Sequence, residues 1–141
     1  MSNQVFFTVL SGTLVFVLGQ ILQKFILEPF QEYKKTIGKI DNRLKFYSNI
    51  LTNAGFDKKT IVEITDAMRN LSCDLEANYK QIPLSKFFSK IGVLEKKDDI
   101  AEAARFLISI SNSGGRSSTR AIRVDNDIRK VREKLKIEPL N

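Results

Sequence analysis

The first 23 residues of this chain contain no Asp, Glu, Lys or Arg, and the first charged side chain is Lys24. A helix of that length is about 34 Å long, enough to cross a hydrocarbon core of about 30 Å. Whatever follows must then fold against a membrane surface. A secretory signal peptide is the competing reading, and it requires a positive n-region and a small-residue cleavage site. Residues 1–4 carry no Lys or Arg, and Gly19-Gln20-Ile21-Leu22-Gln23-Lys24 offers no A-x-A-like site. An uncleaved single span is expected. Lys24, Lys34, Lys35 and Lys39 follow it and none precede it, so the positive-inside bias places the rest of the chain in the cytoplasm. These four lysines are the expected membrane-surface contacts, with Lys24 snorkelling toward the inner headgroups. The boundary falls at residue 28, with an anchor over 1–28 and a cytoplasmic α-helical domain over 29–141.

The span also has a face. Thr8, Gly12, Val15, Gly19 and Gln23 recur at spacings of four, three, four and four and share one stripe. Small residues let helix backbones approach and a glutamine can hydrogen-bond across the contact. Thr8, Gly12, Gly19 and Gln23 are therefore the expected packing positions of a homo-oligomer. The spacing is not the GxxxG pattern.

The net charge of +7 is unevenly distributed. Residues 24–59 hold eight Lys/Arg against four acids, residues 60–111 seven against eight, and residues 112–141 eight against four. Beside a span, a basic excess points to anionic lipid before nucleic acid. The chain has no histidine, which removes His-based acid–base chemistry, Ser-His and Cys-His nucleophile pairs and the usual zinc sites. No catalytic, metal-binding or cofactor-binding constellation stands out, and no enzyme activity is expected. Cys73 is the single cysteine, which rules out an internal disulfide. It lies near an apolar stripe and is read as a packed thiol.

Beyond the anchor every long segment has helical periodicity. Pro29 either opens a new helix or kinks a continuing one. Phe30, Tyr33, Ile37, Ile40, Leu44, Tyr47, Leu51 and Ala54 form an apolar seam closed by Asn53-Ala54-Gly55. A second helix starts at Asp57, with a Phe56–Ile61 staple, and its stripe runs Ile61, Ile64, Met68, Leu71, Leu75, Tyr79, Ile82 up to Pro83. Leu84, Phe87, Phe88 and Ile91 make a short helix stopped by Gly92, with the Phe pair expected in the core. Asp98 and Asp99 open a further helix with a stripe of Ile100, Ala103, Ala104, Leu107 and Ile110. After the Ser/Gly loop 111–119, the last helix carries Ala121, Val124, Ile128, Val131 and Leu135. The expected fold is all-α: one transmembrane helix followed by a small bundle of four longer helices and one short one.

Arg116, Arg120 and Arg123 cluster at the start of that last helix, a candidate anion site made of guanidiniums and free backbone N–H groups. The run from Gly19 to Gly38, GQILQKFILEPFQEYKKTIG, together with Leu107-Ile-Ser-Ile-Ser-Asn112, resembles short, uncharacterised bacterial single-span proteins with a cytoplasmic helical domain. That resemblance implies the bacterial inner membrane and brings no catalytic or ligand residues with it. The function expected is a non-catalytic, membrane-anchored interaction module, homo-oligomeric and touching lipid and an unidentified cytoplasmic protein partner. The alternative is a stress or antiviral-defence effector regulated by an anion such as a nucleotide second messenger at the arginine cluster, with Gln20 and Gln23 lining a wet path. A membrane-tethered nucleic-acid binder ranks third, because the aromatics needed for stacking are expected in the core.

Overall fold

A computed structural model describes residues 2–52, 58–113 and 118–138, with the side chains at 2, 49–52, 58 and 118–121 outside the description. Its elements are α1 (Ser2–Leu22), a π-helical segment (Gln23–Leu27), α2 (Glu28–Thr52), α3 (Lys58–Gln81), α4 (Ser85–Lys90), α5 (Lys97–Asn112) and α6 (Ser118–Lys134). The described residues contain no strand. The all-α reading, with one long apolar N-terminal helix followed by a helical bundle, is what the chain adopts.

Pro29 does not separate two helices, for a single one runs over Asn3–Ser48. Proline lacks the N–H for the i→i−4 bond, and its ring crowds the carbonyl of Phe25 one turn earlier. The backbone answers by widening just before it: the Glu28 N–H bonds to the Gln23 carbonyl, five residues back. Of the two readings of Pro29, continuation holds, and a π turn absorbs the misfit.

No other described part of the chain covers α1. Apolar side chains such as Val5, Phe7, Leu14, Val15 and Phe16 are at least half exposed, and none of the apolar window is buried. The helix is long and apolar enough to cross a membrane. Its hydroxyls bond inward, Thr8 to the Gln4 carbonyl (2.9 Å), Ser11 to that of Thr8 (3.0 Å) and Thr13 to that of Val9 (2.9 Å). Such local satisfaction is what a hydrocarbon solvent demands of a polar group.

Below the π turn, α2, α3, α5 and α6 pack in an antiparallel, up-down order. Asn78 donates to Thr36 (2.8 Å) between α3 and α2, and Ser72 to the Ala104 carbonyl (2.9 Å) between α3 and α5. Ser109 donates to Asp127 (2.7 Å) and Lys134 to Asp99 (3.0 Å) between α5 and α6. The apolar stripes meet in one core. Tyr33, Ile40 and Leu44 of α2, Ile64, Met68 and Leu75 of α3, Ile100 and Leu107 of α5, and Val124, Ile128 and Val131 of α6 are all buried. The α2 stop at 53–55, the Asp57 cap and the Phe56 staple fall outside the described residues.

Two helix ends share one closing geometry. Gly92 (φ +80) follows α4, with Val93 N–H on the Phe88 carbonyl (3.0 Å) and Gly92 N–H on that of Ser89 (3.2 Å). Lys136 (φ 52) follows α6, with Ile137 N–H on the Arg132 carbonyl and Lys136 N–H on that of Glu133. Both are Schellman motifs.

Two packing expectations fail. Cys73 is exposed, because at about 100° per residue it points away from the face shared by Met68, Ser72 and Leu75. Of the apolar side chains on and beside the short helix only Phe88 is partly buried. Leu84, Phe87 and Ile91 are 66%, 57% and 55% exposed. A six-residue helix offers one narrow contact, and the core beneath it is already closed by Ile82 and Leu94.

Candidate functional site

The positions proposed for packing in the membrane lie on the uncovered part of the chain. Thr8, Gly12 and Gly19 share a face of α1, and Gln23 opens the π-helical segment. A Cβ built on Gly12 or Gly19 meets nothing within 4 Å. The lysines named for the membrane surface divide into separate environments. Lys24 sits in the π turn, exposed. Lys35 pairs with Glu32 (3.2 Å) one turn back. Lys34 lies 3.7 Å from Glu95 and caps the rings of Phe30 and Tyr33 at 5.9 and 5.7 Å. Lys39 faces the groove between α2 and α3. In the arginine cluster, Arg123 is exposed, Arg116 lies outside the described residues, and the Arg120 side chain lies outside the description.

The structure brings together two polar nodes that apolar periodicity does not reveal. Glu95, 4% exposed, follows Leu94 in the α4–α5 connection. Its carboxylate accepts from the Tyr33 hydroxyl (2.5 Å), and its backbone carbonyl accepts from the Tyr79 hydroxyl (3.0 Å). The two tyrosine rings meet edge to face at 5.7 Å. Burial, and then the hydrogen bond and charge of Glu95, push the Tyr33 hydroxyl far above the ordinary tyrosine range. Burial also raises Tyr79, outweighing an opposing hydrogen bond with Ser89. Both rings therefore stay neutral donors. The node ties α2, α3 and the α4–α5 link together just below the π turn.

The second node closes α6 against α2. The Arg132 side chain is 4% exposed, and its Nη1 lies 2.6 Å from Asp41 Oδ1. Nη2 donates to the Glu138 carbonyl, while Nε is buried without a partner among the described residues. Lys45 reaches the other Asp41 oxygen at 2.8 Å. Desolvation alone would raise Asp41, but hydrogen bonds from Lys45 and Arg132 prevail and hold its carboxyl below the usual value. On the opposite side of α6, Lys134 is held by Glu102 (2.7 Å) and Asp99 (3.0 Å), whose hydrogen bonds push its ammonium above the ordinary lysine value.

Between α2 and α3 an open groove of about 620 Å³ is lined by Lys39, Asn42, Arg43, Phe46, Ala67, Asn70, Leu71 and Asp74. Two cations and two carboxamides against one carboxylate make it receptive to a small anion. Neither Glu95, Arg132 nor this groove emerges from reading apolar spacing alone. Arg132 is the exception that could have been found, because it stands four residues after Ile128, on the buried stripe of α6. Compared with protein-family models, curated proteins and solved structures, the chain matches none.

Proposed function

We propose that this protein is a non-catalytic membrane-anchored interaction module. In this reading α1 crosses the inner membrane once, and the bundle stands on its cytoplasmic side to engage a protein partner. Copies associate through Thr8, Gly12, Gly19 and Gln23. The observation that carries it is the uncovered apolar helix running without a break into a bundle whose helices are tied by buried polar contacts. The polar clusters serve to lock helices together, consistent with a scaffold.

Exposed Cys73 reports the sidedness. A membrane-impermeant maleimide should label it in inverted inner-membrane vesicles and not in intact cells, and labelling of intact cells would reverse the orientation. Gly12→Leu and Gly19→Leu test the seam cleanly, since a Cβ at either position meets nothing within 4 Å among the described residues. Crosslinking in native membranes should trap an oligomer that both changes weaken. A monomer indifferent to both would refute the seam. The same crosslinked material, analysed by mass spectrometry, identifies the cytoplasmic partner.

The groove favours a second reading, an effector switched by an anionic ligand such as a nucleotide. Calorimetry of the full chain in detergent against cyclic dinucleotides should then show binding that Arg43→Ala weakens. Heat that Arg43→Ala leaves unchanged would exclude the groove as its site.

A further inference from the structure

We infer that α4 and its two flanks form a lipid-facing foot that seats the domain on an anionic membrane surface, which rests on the reading of α1 as a span. Leu84, Phe87 and Ile91 recur at helical spacing and are 66%, 57% and 55% exposed, and Val93 beside them is 48% exposed. Together they present on the order of 400 Å² of apolar surface, the size of the largest patch on a typical monomer, which is often a functional one. Exposed Lys86 and Lys90 flank it on the same short helix.

Its place in the fold selects the occupant. Phe88 packs edge to face on Phe30 at 6.3 Å, and Phe87 on Phe88 at 5.8 Å. Phe30 lies six residues past Lys24, about 9 Å along the helix axis. The interfacial layer of a bilayer is itself about 5–8 Å thick on each side. Phe30 is thus just beyond one interfacial layer, so α4 stands at the lower edge of the headgroups, a few residues below the exposed Phe25 and Leu27 at the end of the apolar helix and within a side chain's length of lipid. The distal end of the bundle, where α5 gives way to α6, has no such proximity. An apolar face bordered by lysines is the composition of a segment lying in the plane of an anionic interface.

The backbone agrees. Leu84 adopts a left-handed conformation (φ 56) at a position where glycine would be relaxed, and its side chain packs into nothing that buries it. A leucine kept there in both strain and water gains an apolar contact once lipid meets it.

The test uses the full chain with Cys73→Ser and one new cysteine carrying an NBD fluorophore, in vesicles of equal parts phosphatidylcholine and phosphatidylglycerol. Labels replace Phe87 or Ile91 in the foot, Leu14 in α1 and Ile122 on α6, and circular dichroism checks that each variant is folded. Spin-labelled lipids should quench the two foot sites several-fold more than Ile122, most strongly with the label near the headgroup. Leu14 should be quenched best by mid-chain labels. Foot sites that remain as water-like as Ile122, while Leu14 is quenched, overturn the foot and leave the span standing. Foot sites that are blue-shifted but unquenched are covered by protein, such as a second copy, and also overturn it. An unquenched Leu14 removes both readings. Unchanged foot quenching in pure phosphatidylcholine overturns the anionic preference.

Discussion

Severing the Arg132–Asp41 bond from its two ends should have unequal costs, the larger arising when the less exposed partner is the one left stranded. The Arg132 side chain is 4% exposed and that of Asp41 25%. Asp41→Leu strands a buried guanidinium that keeps the Glu138 carbonyl but already has an unpartnered Nε. Breaking a buried pair in this way costs about 3–5 kcal/mol. Arg132→Met leaves Asp41 with Lys45 at 2.8 Å and access to water, so the loss approaches that of one charge-assisted hydrogen bond, about 1.5–3 kcal/mol. The double variant replaces the whole pair with apolar side chains and should return to within about 1–2 kcal/mol of the wild type. Urea unfolding of the full chain in nonionic detergent, followed by far-ultraviolet circular dichroism, measures all four proteins, with α1 as a constant helical baseline. If Asp41→Leu is no worse than Arg132→Met, or the double variant loses the sum of the single losses, the clasp reasoning is wrong.

Asp41 also predicts an acid limb. Its native carboxyl binds a proton less readily than in the unfolded chain, so its stabilisation is complete above about pH 4 and is lost as pH falls through the native value. Asp41→Asn should therefore show a shallower fall in urea midpoint below about pH 4 than the wild type, and parallel curves would contradict this. Tyr33→Phe removes the 2.5 Å donor from buried Glu95 and should lower the melting temperature by about 10 °C, from a loss of roughly 2 kcal/mol. An unchanged melting temperature would show that the Glu95 node contributes no net stability. Leu84→Gly relieves a left-handed leucine and should raise stability in detergent by about 1 kcal/mol. A measured decrease would mean that the leucine packs better than its exposure implies.

Much of the bundle was legible because its stripes are long. Tyr33, Ile40 and Leu44, or Ile100, Ala103 and Leu107, repeat often enough that no other secondary structure buries them together. The polar members of the same stripes escaped that count. Thr36, Ser72, Ser111, Asp127 and Arg132 each stand three or four residues after a buried apolar side chain and are buried with it. Counting position rather than hydrophobicity would have found them. Glu95 lies between helices, and its burial depends on Tyr33 and Tyr79 converging from two others, which no local spacing encodes. At α4 the spacing was right and the inference of burial wrong. Periodicity identifies which side chains share a face, but only tertiary packing says whether anything covers it. Pro29 was ambiguous for a similar reason, since the π turn that accommodates it forms in the residues before it.

The unbroken helix over Asn3–Ser48 has a mechanical consequence. With α1 seated in a bilayer, it is a lever whose fulcrum lies at the headgroups near Lys24 and whose lower arm is α2. Tyr47, 23 residues further on, is about 35 Å from that fulcrum, so a change in tilt of about 10° swings it sideways by roughly 6 Å. Tilting is one response by which such a helix accommodates a change in bilayer thickness, at a modest free-energy cost. A change in membrane thickness would thus reach the bundle as lateral travel, transmitted through the π turn at Gln23–Leu27, the place where bending would be taken up.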